Sequence, residues 1–296
     1  MATTELVEEQ IQITDMVRSL AQAYEEVAVM QMQTVRDSVL SSRDFFYEIA
    51  EVYFEVKVSY MQEISKKTKK VAKNAVLSFS TLKKNGKEVV VLIMPNERMT
   101  GNIGNLVFAQ FIDYVKANTN VDIVVVGITG KSAMEAYNMA NPKSPLKFKY
   151  IALPKKVNVE NLQPVVDYII EFEHVNVFHG KFINLVRQEA TKTNVSGEIE
   201  YDKKKKEIET HHYLFEPSLD VILNFFELQI FVYLLLQAFA ESDLAKLGSR
   251  INAMEVSTKN AEKLKNELIL QKRVIQRSIA NKKQLQRIAG IALWTQ

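Results

Sequence analysis

At 296 residues the chain has the length of one or two domains, and its 38 Lys and Arg are so nearly matched by 35 Asp and Glu that net charge alone does not drive it to nucleic acid. It holds no Cys, which excludes disulfides, thiolate nucleophiles and Cys-based metal sites, and Lys outnumbers Arg about threefold, which argues against bidentate phosphate or carboxylate readout as the dominant chemistry. No apolar run approaches the ~20 residues of a membrane span, and residues 1–9 lack the basic-then-apolar layout of a signal peptide, so the chain is expected to be cytosolic or held on the cytosolic face of something.

Residues 1–74 contain neither Gly nor Pro and read as one helix. Ile13, Val17, Leu20, Tyr24, Val27, Met30, Val35, Phe45, Ile49, Val52 and Val56 recur at helical steps and are expected to form its buried seam. The basic patch Lys66, Lys67, Lys69 and Lys70 reads as a solvated helix end facing the C-terminal dipole, with contact to an acidic partner as the sharper alternative.

The period then changes. Residues 88–94 form a continuous apolar run between Asn85-Gly86 and Pro95, as expected for a strand buried on both faces. A helix over 105–117, a second buried strand over 121–127 and a helix over 131–139 follow. After a segment punctuated by Pro142, Pro145 and Pro154 come a helix over 159–171 and a strand over 174–178. Residues 182–187 lead into two polar, alternating strands near 197–201 and 207–213, joined through Asp202 and Lys203 to Lys206 as a solvated turn. Strand and helix in alternation with short loops imply a mostly parallel sheet covered by helices.

Within this region the only candidate phosphate loop is 94–104, which lacks the Gly-x-Gly-x-x-Gly fingerprint. Gly130-Lys131-Ser132 imitates the tail of a P-loop, but the position where its first Gly belongs is Val125. His211 and His212 sit side by side on an expected strand and point to opposite faces, so they cannot share a metal. His174 and His179 are read as structural or surface histidines. No catalytic, cofactor-binding or metal site is expected.

From residue 217 to the end there is no Pro after Pro217, and only Gly248 and Gly290 interrupt good helix formers. Leu247, Ile251, Met254, Ala261, Leu264, Leu268, Ile275 and Ile279 recur near steps of three and four, a narrow seam that wants one long partner helix. At about 1.5 Å per residue the element spans on the order of 100 Å, too long for a globular core, and the first helix is the partner available for a coiled coil.

Here the residues resemble a family, the gamma subunit of F-type rotary ATP synthases. The resemblance rests on Tyr213-Leu214-Phe215-Glu216-Pro217-Ser218, which copies the family's Tyr-x-Phe-Glu-Pro-Ser start of its C-terminal helix. At the family's spacing follow Tyr233, Leu235, Glu241-Ser242, Arg250-x-x-Ala253-Met254, Thr258-x-Asn260-Ala261, Leu264, Leu268, Leu270 and Gly290-x-Ala292-Leu293. Ile11, Leu20, Ala23 and Val27-Ala28 keep a weaker register with the family's first helix. The fold expected is α/β, a long antiparallel coiled coil of N- and C-terminal helices plus a Rossmann-like α/β middle domain. Its divisions would be 1–74 and 216–296 as shaft helices and 75–215 as the globular domain.

The resemblance implies a non-catalytic central-stalk rotor without cofactor, coupling ATP synthesis or hydrolysis in a ring of three alpha and three beta subunits to rotation. Its implied partners are those ring subunits and other central-stalk subunits, with membrane contact only through them. The implied subunit-interface residues are Arg250, Met254, Asn260, Leu268, Arg273, Gln276, Arg277, Ile288 and Trp294. Among them Gln276-Arg277 aligns with the family's Arg-Gln pair in reversed order, Arg273 and Arg277 are placed to engage carboxylates, and the apolar end from Ile288 to Trp294 suits the ring's hydrophobic sleeve.

The departures are as informative. The family's first helix is strongly basic, whereas this one carries Gln12, Asp15, Glu25, Glu26, Gln31 and Gln33, and Lys283 replaces an acidic residue of the last helix. A shaft whose surface charge has changed calls for a ring that changed with it. Two alternatives therefore stand: the shaft of a specialised F-type-like ATPase driving another process, such as gliding motility in wall-less bacteria, and a non-rotating coiled-coil scaffold. A nucleotide-binding enzyme is the weakest reading.

Overall fold

The computed structural model describes residues 2–67, 85–118, 120–196 and 219–294. The expected polar strands near 197–201 and 207–213, the turn between them, His211-His212, Lys69, Lys70 and the 213–218 motif lie outside the described residues. Two compact units are formed, Gln31–Ser249 and the pairing of Met1–Met30 with Arg250–Gln296; helices α1 (Ala2–Lys67) and α5 (Leu219–Trp294) contribute to both.

The larger unit is built on five strands: β1 (Glu88–Ile93), β2 (Val121–Val126), β3 (Lys149–Ile151), β4 (His174–Phe182) and β5 (Gln188–Asn194). Helices α2 (Ile103–Ala117), α3 (Ile128–Ala140) and α4 (Val159–Ile169) make the crossovers. The sheet order is β3-β2-β1-β4-β5, parallel throughout except for the antiparallel β4–β5 pair. The central strands are β-branched and apolar on both faces because helices cover both. Val89, Val91 and Ile93 join Val175 and Val177 under α4 (Leu162, Val165, Val166, Ile169) and α5 (Phe231, Leu235, Ala238, Phe239). The alternate residues Val90 and Leu92 pack with Val125 and Phe178 under α2 (Val107, Phe111, Val115) and Met134 of α3.

Three features depart from the sequence expectation. Strand β3 lies in the Pro-punctuated segment, too short at three residues to carry a period. Strand β5, Gln-Glu-Ala-Thr-Lys-Thr-Asn, closes one edge of the sheet with half-exposed side chains, so nothing forces an apolar alternation on it. Within Asn224–Ala289, α5 does contain an 18-residue window apolar enough by composition to cross a membrane, against the expectation of none. A third of that window (33%) is buried in the protein, and the buried residues of α5 include Ile230, Phe231, Leu235, Ala238 and Phe239.

The turn from β2 into α3 depends on one residue. Gly127 has φ +99°, and a Cβ there would lie 1.9 Å from the Met94 carbonyl oxygen, a main-chain atom that cannot step aside. Gly127→Ala is expected to cost about 3 kcal/mol, combining left-handed strain with displacement of β1 from β2, and to appear as a lower urea midpoint with an unchanged slope.

Candidate interaction surface on the terminal helices

In a doubly wound sheet a ligand binds at the carboxyl ends of the strands where their order reverses, here between β1 and β4, with phosphate at the N-terminus of the first crossover helix. That place is filled by α5. Ser249 Oγ accepts the Ile103 N–H at 3.3 Å and so caps α2. Gly101, at φ +68°, lets α5 approach so closely that a Cβ would stand 2.2 Å from Ser249 Oγ, and Ala245 packs on Gly180. A separate cavity at the carboxyl ends of β1 and β2, lined by Met94, Val126, Pro154, Phe239 and Lys246 among others, has a volume of about 40 Å³. Small-molecule sites occupy roughly 300–1,000 Å³.

The other chemical candidates have structural roles. Gly130 lies inside the first turn of α3 against Val125 and Met94, while Lys131 N–H bonds to Gly127 O and its ammonium lies 5.3 Å from the Tyr150 ring centroid. His179 is buried between the Gly180 carbonyl, 3.0 Å from Nδ1, and Thr193 Oγ1, 2.9 Å from Nε2. Since a carbonyl only accepts, Nδ1 carries the proton and Thr193 donates to Nε2. Burial holds this imidazole below its ordinary pKa, in keeping with a neutral core group. His174 is exposed at the start of β4.

The surface of the smaller unit is made by α1 and α5. Buried and half-buried positions on α1 alternate steps of three and four through Thr4, Val7, Ile11, Thr14, Arg18, Ala21, Glu25 and Ala28. On α5 they run through Ile251, Met254, Thr258, Ala261, Lys265, Leu268, Lys272, Ile275 and Ile279. The helices are antiparallel: Lys272 Nζ meets Glu8 Oε1 at 2.6 Å, and seven residues on along α1 and seven back along α5, Lys265 Nζ meets Asp15 Oδ1 at 2.7 Å. Arg18 reaches Glu262 at 3.8 Å and Asp15 at 3.1 Å. In the larger unit the same two helices meet through Tyr53, Val56 and Ile230, with Tyr53 Oη donating to Glu227 Oε1 at 3.2 Å.

The α5 seam is the one its spacing predicts, except that Leu264 is 48% exposed. The α1 seam of the smaller unit is not. Ile13, Val17, Leu20, Tyr24, Val27 and Met30, expected inside, lie on the outer face, with Leu20 54% exposed. Both stripes of α1 keep the three-and-four spacing, so period alone does not choose between them. Ala21, Ala28 and Ala261 take the seam because small residues let two helices close together, and the ion pairs replace the large apolar contacts there.

The hydrogen-bonded Lys265 ammonium holds the Asp15 carboxyl below its ordinary value of 3.8, although desolvation works the other way. The folded pKa being depressed, this pair stabilises fully above the unfolded value and is lost as pH falls through the folded one. The stability difference between wild type and Asp15→Asn is therefore expected to stay constant above about pH 5 and to shrink as the pH falls through 3.8 and below, followed by helix melting; a pH-independent difference would contradict the pair's role.

The residues singled out from the sequence separate into two groups. Arg250 and Leu268 are buried and Met254 is half-buried within the chain. Asn260, Arg273, Gln276, Arg277 and Ile288 are exposed, and Trp294 is the last residue of α5. Beyond Glu267 the sequence contains no acidic residue, while Arg273, Arg277, Lys282, Lys283 and Arg287 follow, so the exposed end of α5 is cationic.

Comparison with known proteins gives a consistent result. A family model described as ATP synthase matches residues 3–282. The ATP synthase gamma chain of Desulforamulus reducens is 21% identical over 285 residues, covering 91% of each chain. That of Mesoplasma florum is 23% identical over 281 residues, covering 92% of this chain and 91% of the relative. Among solved structures, a chain of the central stalk and c-ring of Tetrahymena thermophila mitochondrial ATP synthase superposes with a TM-score of 0.57 at 18% identity, over 80% of this chain and 98% of that one. A chain from the OSCP/F1/c-ring structure of the Euglena gracilis enzyme gives 0.51 at 14% identity, over 88% and 94%.

Proposed function

Because this chain belongs to the ATP synthase gamma-chain family, we propose that it is the central-stalk shaft of an F-type ATPase, coupling ATP synthesis or hydrolysis in an alpha and beta subunit ring to rotation. The observation that carries this reading is a family match along nearly the whole chain joined to an antiparallel pair of terminal helices. The chain itself is non-catalytic. Its crossover-helix N-terminus is capped from within by Ser249, and what it offers a partner is an extended helical surface.

The mechanism rests on shape and charge. A ring that encloses the terminal helices meets Asn260, Arg273, Gln276, Arg277 and Ile288, and the cationic residues engage carboxylates on ring loops. Ring subunits in different nucleotide states then favour different shaft angles, and shaft angle biases nucleotide affinity by the same free energy. The α5 segment 230–245, locked under the sheet by Phe231 and Leu235, fixes the helix to the α/β body. The complex sits on the cytosolic face of a membrane, which this chain touches only through partners.

The test is affinity purification of the tagged full-length chain from its own cells, with mass spectrometry and an ATPase assay. Nucleotide-binding alpha-like and beta-like subunits in excess of this chain, with ATP hydrolysis, are expected. Recovery without any such subunits refutes the shaft role.

A further inference from the structure

The edge of the sheet opposite β5 is cationic. Between Glu135 and Glu160 the sequence has five Lys (Lys143, Lys147, Lys149, Lys155 and Lys156), no Arg and no acidic residue, and all five are exposed. Lys155 meets Glu97 at 2.8 Å, while among the described residues Lys143, Lys147 and Lys156 make no ion pair. Strand β3 runs through this stretch at the end of the sheet, paired with β2 on one side only, so the main-chain hydrogen-bonding groups of its other side face away from the sheet. Asn138 of α3 ties down Leu146 by both main-chain groups, donating to its carbonyl and accepting from its N–H at 2.9 Å each, and the edge opens at Lys147. From there the side chains alternate across the sheet. Lys149, in register with Val124, lies 3.5 Å over the Tyr168 ring of α4. Tyr150, in register with Val125, has the Lys131 ammonium of α3 5.3 Å from its centroid, and Lys131 reaches Glu135 only at 3.9 Å. Ammonium groups thus flank the edge on both faces of the sheet.

We propose that this edge takes an acidic, extended segment of a partner protein as an added strand, its main chain pairing with β3 and its carboxylates meeting Lys147 and Lys149 on one face and Lys131 on the other. Two features select this occupant. Strand addition is directional and satisfies the outward main-chain groups of β3, which a layer of lipid headgroups does not. Lysines on an edge deter any strand that brings them no counter-charge, so a run of five with no acid among them admits a strand rich in Asp or Glu and rejects neutral or basic ones. The surface belongs to the larger unit, and its partner is independent of the contacts made by Arg273 and Arg277.

The experiment is hydrogen exchange on the complex recovered with the tagged full-length chain, compared with the isolated chain, together with carbodiimide coupling, which joins Lys directly to a carboxylate in contact with it. In the complex the outward amides of 147–151 are expected to exchange at least about tenfold more slowly than in the isolated chain, and Lys147 and Lys149 to be joined to Asp or Glu of one partner segment. Lys147→Glu/Lys149→Glu is expected to lose the protection and Lys147→Arg/Lys149→Arg to keep it, with exchange in β1 and β2 unchanged in both. Ring subunits recovered with 147–151 unprotected overturn the added strand and leave the shaft role intact. Protection that survives the Glu pair also overturns it, as does protection given by phosphatidylglycerol vesicles to the isolated chain and missing from the complex, since a membrane is then the occupant. A chain recovered with no partner at all overturns both readings.

Discussion

Leu235→Ala is expected to lower stability by about 2–5 kcal/mol, the range for a fully buried leucine whose cavity the surroundings cannot close. Leu235 is 0% exposed and packs with Phe231, Ala238 and Phe239 of α5 against the β-branched face of the sheet and α4. The loss falls at the attachment of the helix to the α/β body, so amide exchange should accelerate in α5 over 224–249 more than in α3, which lies under the opposite face. A change below about 1 kcal/mol by urea unfolding would show that α5 is not anchored there.

Arg273→Glu/Arg277→Glu is the second large effect, expected in assembly rather than folding. Both side chains are exposed, and no acidic residue follows Glu267 in the sequence. Reversing both replaces attraction to ring carboxylates by repulsion, with an expected loss of about 100-fold or more in ring binding at low salt that narrows as salt screens it. Melting of the isolated chain should stay within about 0.5 kcal/mol of wild type, as for exposed substitutions generally. Equal ring binding by wild type and variant across the salt series would contradict the charged contact.

What could be read from the residues depended on how strongly burial constrains them. The runs at 88–94 and 121–127 announce β1 and β2 because a strand buried on both faces has no freedom to be polar. Gln188 to Asn194 conceals β5 because an edge strand is held by main-chain hydrogen bonds that leave no mark on its side chains. The two terminal helices are legible from their lack of Pro and scarcity of Gly, yet the spacing misplaces the seam of α1, since Ile13, Leu20 and Tyr24 look more like core than Thr14, Ala21 and Ala28 do. The signal available was the acidic and basic pairing: Glu8 and Asp15 are seven apart, as are Lys265 and Lys272. Ser249 capping α2 was invisible, because it joins residues 146 positions apart through the fold alone.

The most direct test of the shaft role uses the absence of native cysteine. Ile288→Cys, at an exposed position near the end of α5, carries the only thiol of the chain and can be joined to a neighbour through a maleimide cross-linker with a reducible spacer, in the assembled complex. The account predicts a bond to a nucleotide-binding ring subunit that stops ATP turnover, with turnover returning on reduction. A bond to the ring that leaves turnover unchanged, or no bond to any ring subunit, would contradict it.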